Sequence, residues 1–238
     1  MEMRRISWLM ACTLVVFLAG QSRANAAAVL LLSTGNAAED AAVQNTLVNQ
    51  GHQVDIGPPF YQFDGTDVFN YDTVVLLPNY NYSGGDMPVA GQMVLIDFVN
   101  NGHGLVTAEW TVWLINATGR LAVLADVIPV VSTSLFRYAA MVTYTSVTPN
   151  DILNAGVDPV FTFMADEVGG TDTSFAPKDG ATIFYDSDFP GDTAGLIGWS
   201  YGAGRVISFS TVAGLMEVAD SNYGQLLSNA VTWSTNPQ

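Results

Sequence analysis

Past residue 26 the chain alternates short, unbroken apolar runs with stretches whose apolar residues recur at helical spacing. The first run, 27–32 (AAVLLL), is continuous rather than alternating. That suits a strand covered on both faces, as in a parallel sheet. Ser33-Thr34-Gly35-Asn36 follows it, and then Ala41, Val43, Leu47 and Val48 at helical spacing, with Glu39 and Asp40 near the start and Gly51 at the end. Acids in the first turn and a closing glycine mark a helix. A shorter strand is expected at 52–56, broken by Pro58-Pro59, and an aromatic, acidic loop over 59–72. The run 73–77 (TVVLL) is another buried-type strand ending at Pro78-Asn79. After a Tyr-, Asn- and Gly-rich loop, Pro88 opens a helix carrying Val89, Met93, Ile96 and Val99, which Asn101-Gly102 closes. The segment 104–108 (GLVTA) is a fourth strand, and 109–117 turns into a helix. Strands alternating with helices in the order β-α-β-β-α-β-α predict a parallel sheet with helices on both faces.

The second half is less periodic. Strands are expected at 141–147, 159–164 and 182–185. The segments 194–200 and 205–210, joined through Gly202-Ala203-Gly204, read as a hairpin. Tyr223, Leu226, Leu227, Ala230 and Val231 form one apolar stripe of a closing helix, with Asp220 or Ser221 able to cap it.

The first 26 residues follow a different pattern. Arg4 and Arg5 precede an apolar run over 8–18, and the segment ends Ala24-Asn25-Ala26. A basic start, an apolar run too short to span a bilayer comfortably and an A-x-A-like site predict a signal peptide over 1–26. The expected mature chain is one α/β domain, 27–238, secreted or periplasmic, with no membrane span. Cys12 is the single cysteine and leaves with that segment, so no disulfide, thiolate ligand or cysteine nucleophile remains.

The chain carries 7 Lys and Arg against 22 Asp and Glu, a net charge of −15. Arg4, Arg5 and Arg23 depart with the signal, leaving Arg120, Arg137, Lys178 and Arg205. Nucleic acid binding is excluded, because phosphate neutralisation needs clustered cations. The acids are scattered. Asp186, Asp188 and Asp192 near Gly191 lack the closing Glu of a calcium loop, since the twelfth position falls on Ile197. Neither a metal nor a cofactor is expected.

Three stretches together resemble a known family. They are the N-terminal strand, loop and helix running through TVVLLPN to NNGHGLVTAEW; then VTPNDILNAGVDPVFTFMADEV; and AGLIGWSYGAGRVISFSTV with a last helix holding NAVTW. Their order and spacing resemble the class I glutamine amidotransferase-like superfamily, and within it the trehalose-utilisation (ThuA-like) group. The resemblance implies a flavodoxin-like three-layer sandwich with a mainly parallel central sheet. It also implies a site at the carboxyl ends of the strands, where open α/β sheets place ligands on general grounds. Amidotransferases of that superfamily carry a cysteine on the elbow after the fourth strand, with a histidine partner. Here the elbow position falls on Glu109, and His103 precedes the strand. A carboxylate does not replace the thiolate nucleophile, so glutaminase or cysteine-protease activity is not expected.

Glu109 is accordingly the candidate catalytic group, as general base or acid, or a plain helix-start acid. Asn36, Asn79, Tyr80, Tyr82 and Trp110 are the candidate ligand contacts. Aromatic faces stack on sugar rings and amides bond hydroxyls. Trp113 equally suits packing of the helix onto the sheet, and Asn36 a plain turn. The acidic pair Asp166-Glu167 matches the family stretch. Three readings stay open: a non-catalytic domain binding a carbohydrate or other small polar ligand, a sugar-active hydrolase or isomerase using Glu109, and a structural or interaction module.

Overall fold

The computed structural model of the protein describes residues 26–132, 140–165, 175–188 and 193–236. The predicted signal peptide falls almost wholly outside these residues, as do Arg137, Asp166, Glu167, Gly191 and Asp192.

In chain order the elements are β1 (Ala28–Ser33), α1 (Ala37–Asn49), β2 (Gln53–Pro59), β3 (Thr73–Leu76), α2 (Val89–Asn100), β4 (Gly104–Thr107) and α3 (Glu109–Trp113). Then follow β5 (Val130–Ser132), β6 (Ala140–Ser146), β7 (Val160–Ala165), β8 (Phe175–Pro177), β9 (Thr182–Ser187), β10 (Thr193–Tyr201), β11 (Gly204–Phe209) and α4 (Ser221–Ser234). The first seven reproduce the predicted alternation. The second strand runs on past the expected break: Pro59 still pairs with Ser33, after a shift of register between Leu32 and Ser33. It lies at the sheet edge, where a proline's missing N–H costs no ladder bond.

The main sheet has nine strands in the order β2-β1-β3-β4-β11-β10-β9-β6-β7. From β2 to β11 neighbours run parallel; from β11 onward they run antiparallel. β5 and β8 form a separate antiparallel pair. The architecture is a flavodoxin-like α/β sandwich. The antiparallel half follows from the predicted hairpin: β10 and β11 join through a tight turn at Gly202, whose φ of +59° a glycine adopts without Cβ strain.

Alternate residues of the inner strands feed two separate cores. Val29, Leu31, Val75 and Val106 pack with Val43 and Leu47 of α1 and Leu226, Leu227 and Val231 of α4. Leu30, Leu32, Val74, Leu76 and Leu105 pack with Leu95, Phe98 and Val99 of α2 on the other face. Period-two side-chain alternation on a sheet covered from both sides makes the strands read as unbroken apolar runs. Asp220 caps α4, accepting from Asn222 and Tyr223 N–H. No described helix is long and apolar enough to cross a membrane.

Candidate functional site

The chain places β2 and β3 on opposite sides of β1, so the strand order reverses between β1 and β3. The crevice outside the carboxyl ends at such a reversal is where open α/β sheets bind ligands. Four loops meet there, following β1, β3, β4 and β11.

The β1 loop is locked to the β3 loop. Asn36 is the N-cap of α1, its Oδ1 accepting from the N–H of Ala38 and Glu39. Asp40 reaches back one turn, accepting from Thr34 N–H and Ser33 hydroxyl, both at 2.6 Å. Across the crevice Asn81 Nδ2 donates to Ser33 carbonyl at 2.8 Å, and the N–H groups of Tyr80 and Asn81 donate to Thr34 carbonyl. Gly35 is at φ +90°, and a Cβ there would meet Asn81 at 2.9 Å. Only glycine permits both the backbone conformation and this approach of the two loops.

Glu109 opens α3 directly after β4, at the strand-to-helix elbow. It is fully buried, 0% exposed, and its N–H points at Thr211 carbonyl at 3.4 Å. Arg120 donates to Thr118 and to Gly84 carbonyl. Asn79 is 1% exposed; its Nδ2 donates to Glu39 Oε1 at 2.5 Å.

Two acids that sequence reasoning did not single out join the crevice. Glu39 and Glu217 are both buried, and both lie against Gly214: a Cβ there would sit 3.0 Å from Glu39 Oε2 and 3.2 Å from Glu217 Oε2. Gly214 N–H donates to Glu217 at 3.0 Å. Glu39 had a signal, standing three residues after Asn36 in a capping-box position, which marks a helix start and not a site. Glu217 had none. Beside them a hydroxyl network links Tyr144 with Ser210 and Thr211, and Thr211 with Tyr223.

The aromatic residues gather, but on each other. Tyr82 stacks on Trp110 at 4.3 Å and 18°, and Trp113 meets Trp110 edge-on at 4.6 Å. Trp110 is 6% exposed, whereas Tyr80 and Tyr82 stand at 36% and 37%. The tyrosines form the rim and the tryptophans the floor. Several buried polar atoms here have no protein partner: Asn79 Oδ1, Asn81 Oδ1 and the indole N–H of Trp110 and Trp113. Among the described residues, no group of three or more His, Cys, Asp or Glu is placed to hold a metal ion. His103 lies at the other end of β4, stacked on Phe98 at 4.2 Å.

Solved structures share this fold. Over 87% of the chain the structure is similar to a cytoplasmic protein from Salmonella typhimurium, with TM-score 0.62, 15% identity and 98% of that chain covered. It is similar over 87% to a ThuA-like protein from Bacteroides uniformis, with TM-score 0.60, 13% identity and 90% of that chain covered. Over 86% it is similar to part of a beta-galactosidase from Bacillus circulans, with TM-score 0.62, 14% identity and 30% of that chain covered. At these identities the likeness is one of fold. No protein-family model and no curated protein sequence matches the chain.

Proposed function

We propose that the chain is a non-catalytic domain that binds a carbohydrate or another small polar ligand at the carboxyl ends of its parallel strands. In this reading Asn36, Asn79, Tyr80, Tyr82 and Trp110 face the ligand, and Glu109 lies beneath it. The observation that supports it is the concentration of buried, unmatched polar atoms at one place: the amide oxygens of Asn79 and Asn81 and the indole N–H of Trp110 and Trp113. A buried polar atom without a partner costs about 1–3 kcal/mol, and native proteins keep few of them. A polyhydroxylated ligand supplies donors for the amide oxygens and acceptors for the indoles. Displacement of Tyr82 from Trp110 would open an aromatic face for a sugar ring.

Glycan-array binding, coupled to a turnover screen on disaccharides, tests this. Binding abolished by Trp110→Ala and kept in Glu109→Gln supports the binding domain. Turnover that disappears in Glu109→Gln would move the assignment to a sugar-active hydrolase or isomerase with Glu109 as acid/base. Neither binding nor turnover would leave a structural or interaction module, a reading favoured by the Tyr82–Trp110–Trp113 cluster filling the crevice with the protein's own rings.

The proposal includes export, with cleavage after Ala26. N-terminal sequencing of the secreted or periplasmic chain should begin at Ala27.

A further inference from the structure

The opposite end of the sheet carries a second recess. Arg205 opens β11, paired with Gly104 at the start of β4, so it sits a full strand length from the crevice. There an open cavity of about 660 Å³ is lined by, among others, Asp151, Thr182, Phe184, Ser200, Arg205 and Trp233. That volume is in the range of small-molecule sites. Phe184 and Trp233 belong to the core that α4 covers. Thr182 stands two residues from Phe184 and pairs with Gly198, and Ser200 pairs with Arg205, so all of these lie on that one face of the sheet.

Arg205 is held in place there. Its guanidinium carbon lies 5.0 Å from the Trp233 ring, and Nη1 donates to Trp233 carbonyl at 3.2 Å. That leaves Nε and Nη2, the pair of nitrogens whose N–H bonds run side by side. Nε is buried without a partner. Burial pushes the Arg205 pKa downward with no acid offsetting it, so no carboxylate among the described residues neutralises the group.

Asp151 lines the same recess from a pinned turn. Asn150 Oδ1 accepts from the N–H of Ile152 and Leu153, and Asn150 N–H donates to Asn154 Oδ1 at 2.7 Å. Asn229 of α4 donates to Leu153 and Ala155 carbonyls at 3.0 and 2.8 Å. Asp151 itself is exposed. One cavity thus presents a fixed cation and a fixed carboxylate that do not pair with each other, above an apolar floor of Phe184 and Trp233.

We propose that this recess binds a small zwitterion, an amino acid or short peptide, its carboxylate on Arg205, its ammonium group on Asp151 and an apolar side chain toward Phe184 and Trp233. An arginine fixed by a ring and a carbonyl is pre-oriented for a two-point bond to a carboxylate. A chain of net charge −15 repels a simple anion, and Asp151 adds to that repulsion. A simple cation meets Arg205. A ligand that carries both charges is neutral overall and satisfies both groups.

The test is a titration of the 15N-labelled protein with L-leucine and with L-leucyl-L-leucine, followed at the tryptophan indole N–H resonances. The two probes distinguish a free amino acid from a peptide. Their N-acetylated and carboxamide forms, each with one charge removed, serve as comparisons. The Trp233 signal should shift saturably with those of Trp110 and Trp113 unmoved, which separates this site from the strand-end crevice. Amidation of the carboxylate should weaken binding about tenfold, and N-acetylation about fivefold, because the Asp151 pair is exposed. Arg205→Met should weaken the zwitterion about tenfold. Asp151→Asn should weaken it about fivefold and leave the N-acetylated form unaffected. Asp151 is an exposed turn residue, so this variant serves if Arg205→Met does not fold. The proposal is overturned by no saturable shift with either zwitterion, by shifts confined to Trp110 and Trp113, by a singly charged form binding as tightly, or by undiminished binding in either folded variant.

Discussion

Replacement of Tyr82 by alanine probes whether the strand-end crevice is held shut by its own rings. Tyr82 is 37% exposed, so somewhat more than half of the side chain is covered, mainly by Trp110 in the stack and Trp113 at its edge. A fully covered aromatic side chain buries about 150–250 Å². The covered part is then on the order of 100 Å², about 2.5 kcal/mol at 25 cal/mol/Å², an upper bound because the unfolded chain also hides some of it. The ring–ring geometry adds about 0.5–1.5 kcal/mol. Release of the side chain from one rotamer returns about 0.5–1 kcal/mol. The net expectation is a loss of about 2–3 kcal/mol, or a fall in Tm of about 4–12 °C for a domain of this size.

Urea unfolding gives the stability, and acrylamide quenching with the emission maximum gives the exposure of Trp110. Tyr82→Ala should shift the emission to the red and raise the quenching. The sharper measurement is the cycle with Trp110→Ala: if the stack exists, the two losses should fall short of additive by about 0.5–1.5 kcal/mol. Full additivity, with quenching unchanged in Tyr82→Ala, would falsify the stack and with it the closed crevice.

Asn36→Ala removes the side-chain acceptor for two N–H groups of α1 and should cost about 1 kcal/mol by urea unfolding, with Asp220→Ala giving a similar loss at α4. His52 is buried, accepts from Ala27 N–H at Nδ1 and therefore carries its proton on Nε2, which donates to Ser228. Burial holds its pKa below the ordinary 6.5, outweighing the Ser228 contact that raises it. The folded state thus binds fewer protons than the unfolded one, so this contribution is intact above about pH 6.5 and is lost as pH falls below it. A series of urea melts from pH 8 to 5 should show that decline, and His52→Gln should flatten it. Gly91→Ala places a Cβ onto Phe63 carbonyl oxygen; backbone against backbone cannot yield cheaply, so the variant should lose several degrees of Tm although alanine is the better helix former.

Much of the parallel half was legible because its code is local. Runs such as 27–32 and 73–77 are unbroken since each strand is covered on both faces, and Asp220 announces its helix by capping it. The helix start at Glu109 was legible in the residues, and its place on the elbow was what the family resemblance implied. The antiparallel continuation was only half visible: the hairpin turn is local, but the pairing of β9 with β6 joins residues some forty positions apart with no motif to link them. The site was legible in its members and not in their arrangement. Asn36 was readable as either a ligand contact or a turn residue, and its oxygen caps α1. Trp110 and Tyr82 were expected to rim a cleft, and they meet face to face.

What the sequence by itself determined is the order of strands and helices through the parallel half, the closing helix and the absence of any cysteine beyond Cys12, because periodicity, caps and composition act within a few residues. Only the tertiary structure decided that Glu39 and Glu217 converge on Gly214 and that Arg205 lies over Trp233. Such contacts depend on which strands become neighbours, and that is set by packing across the whole sheet, where no single segment carries the information.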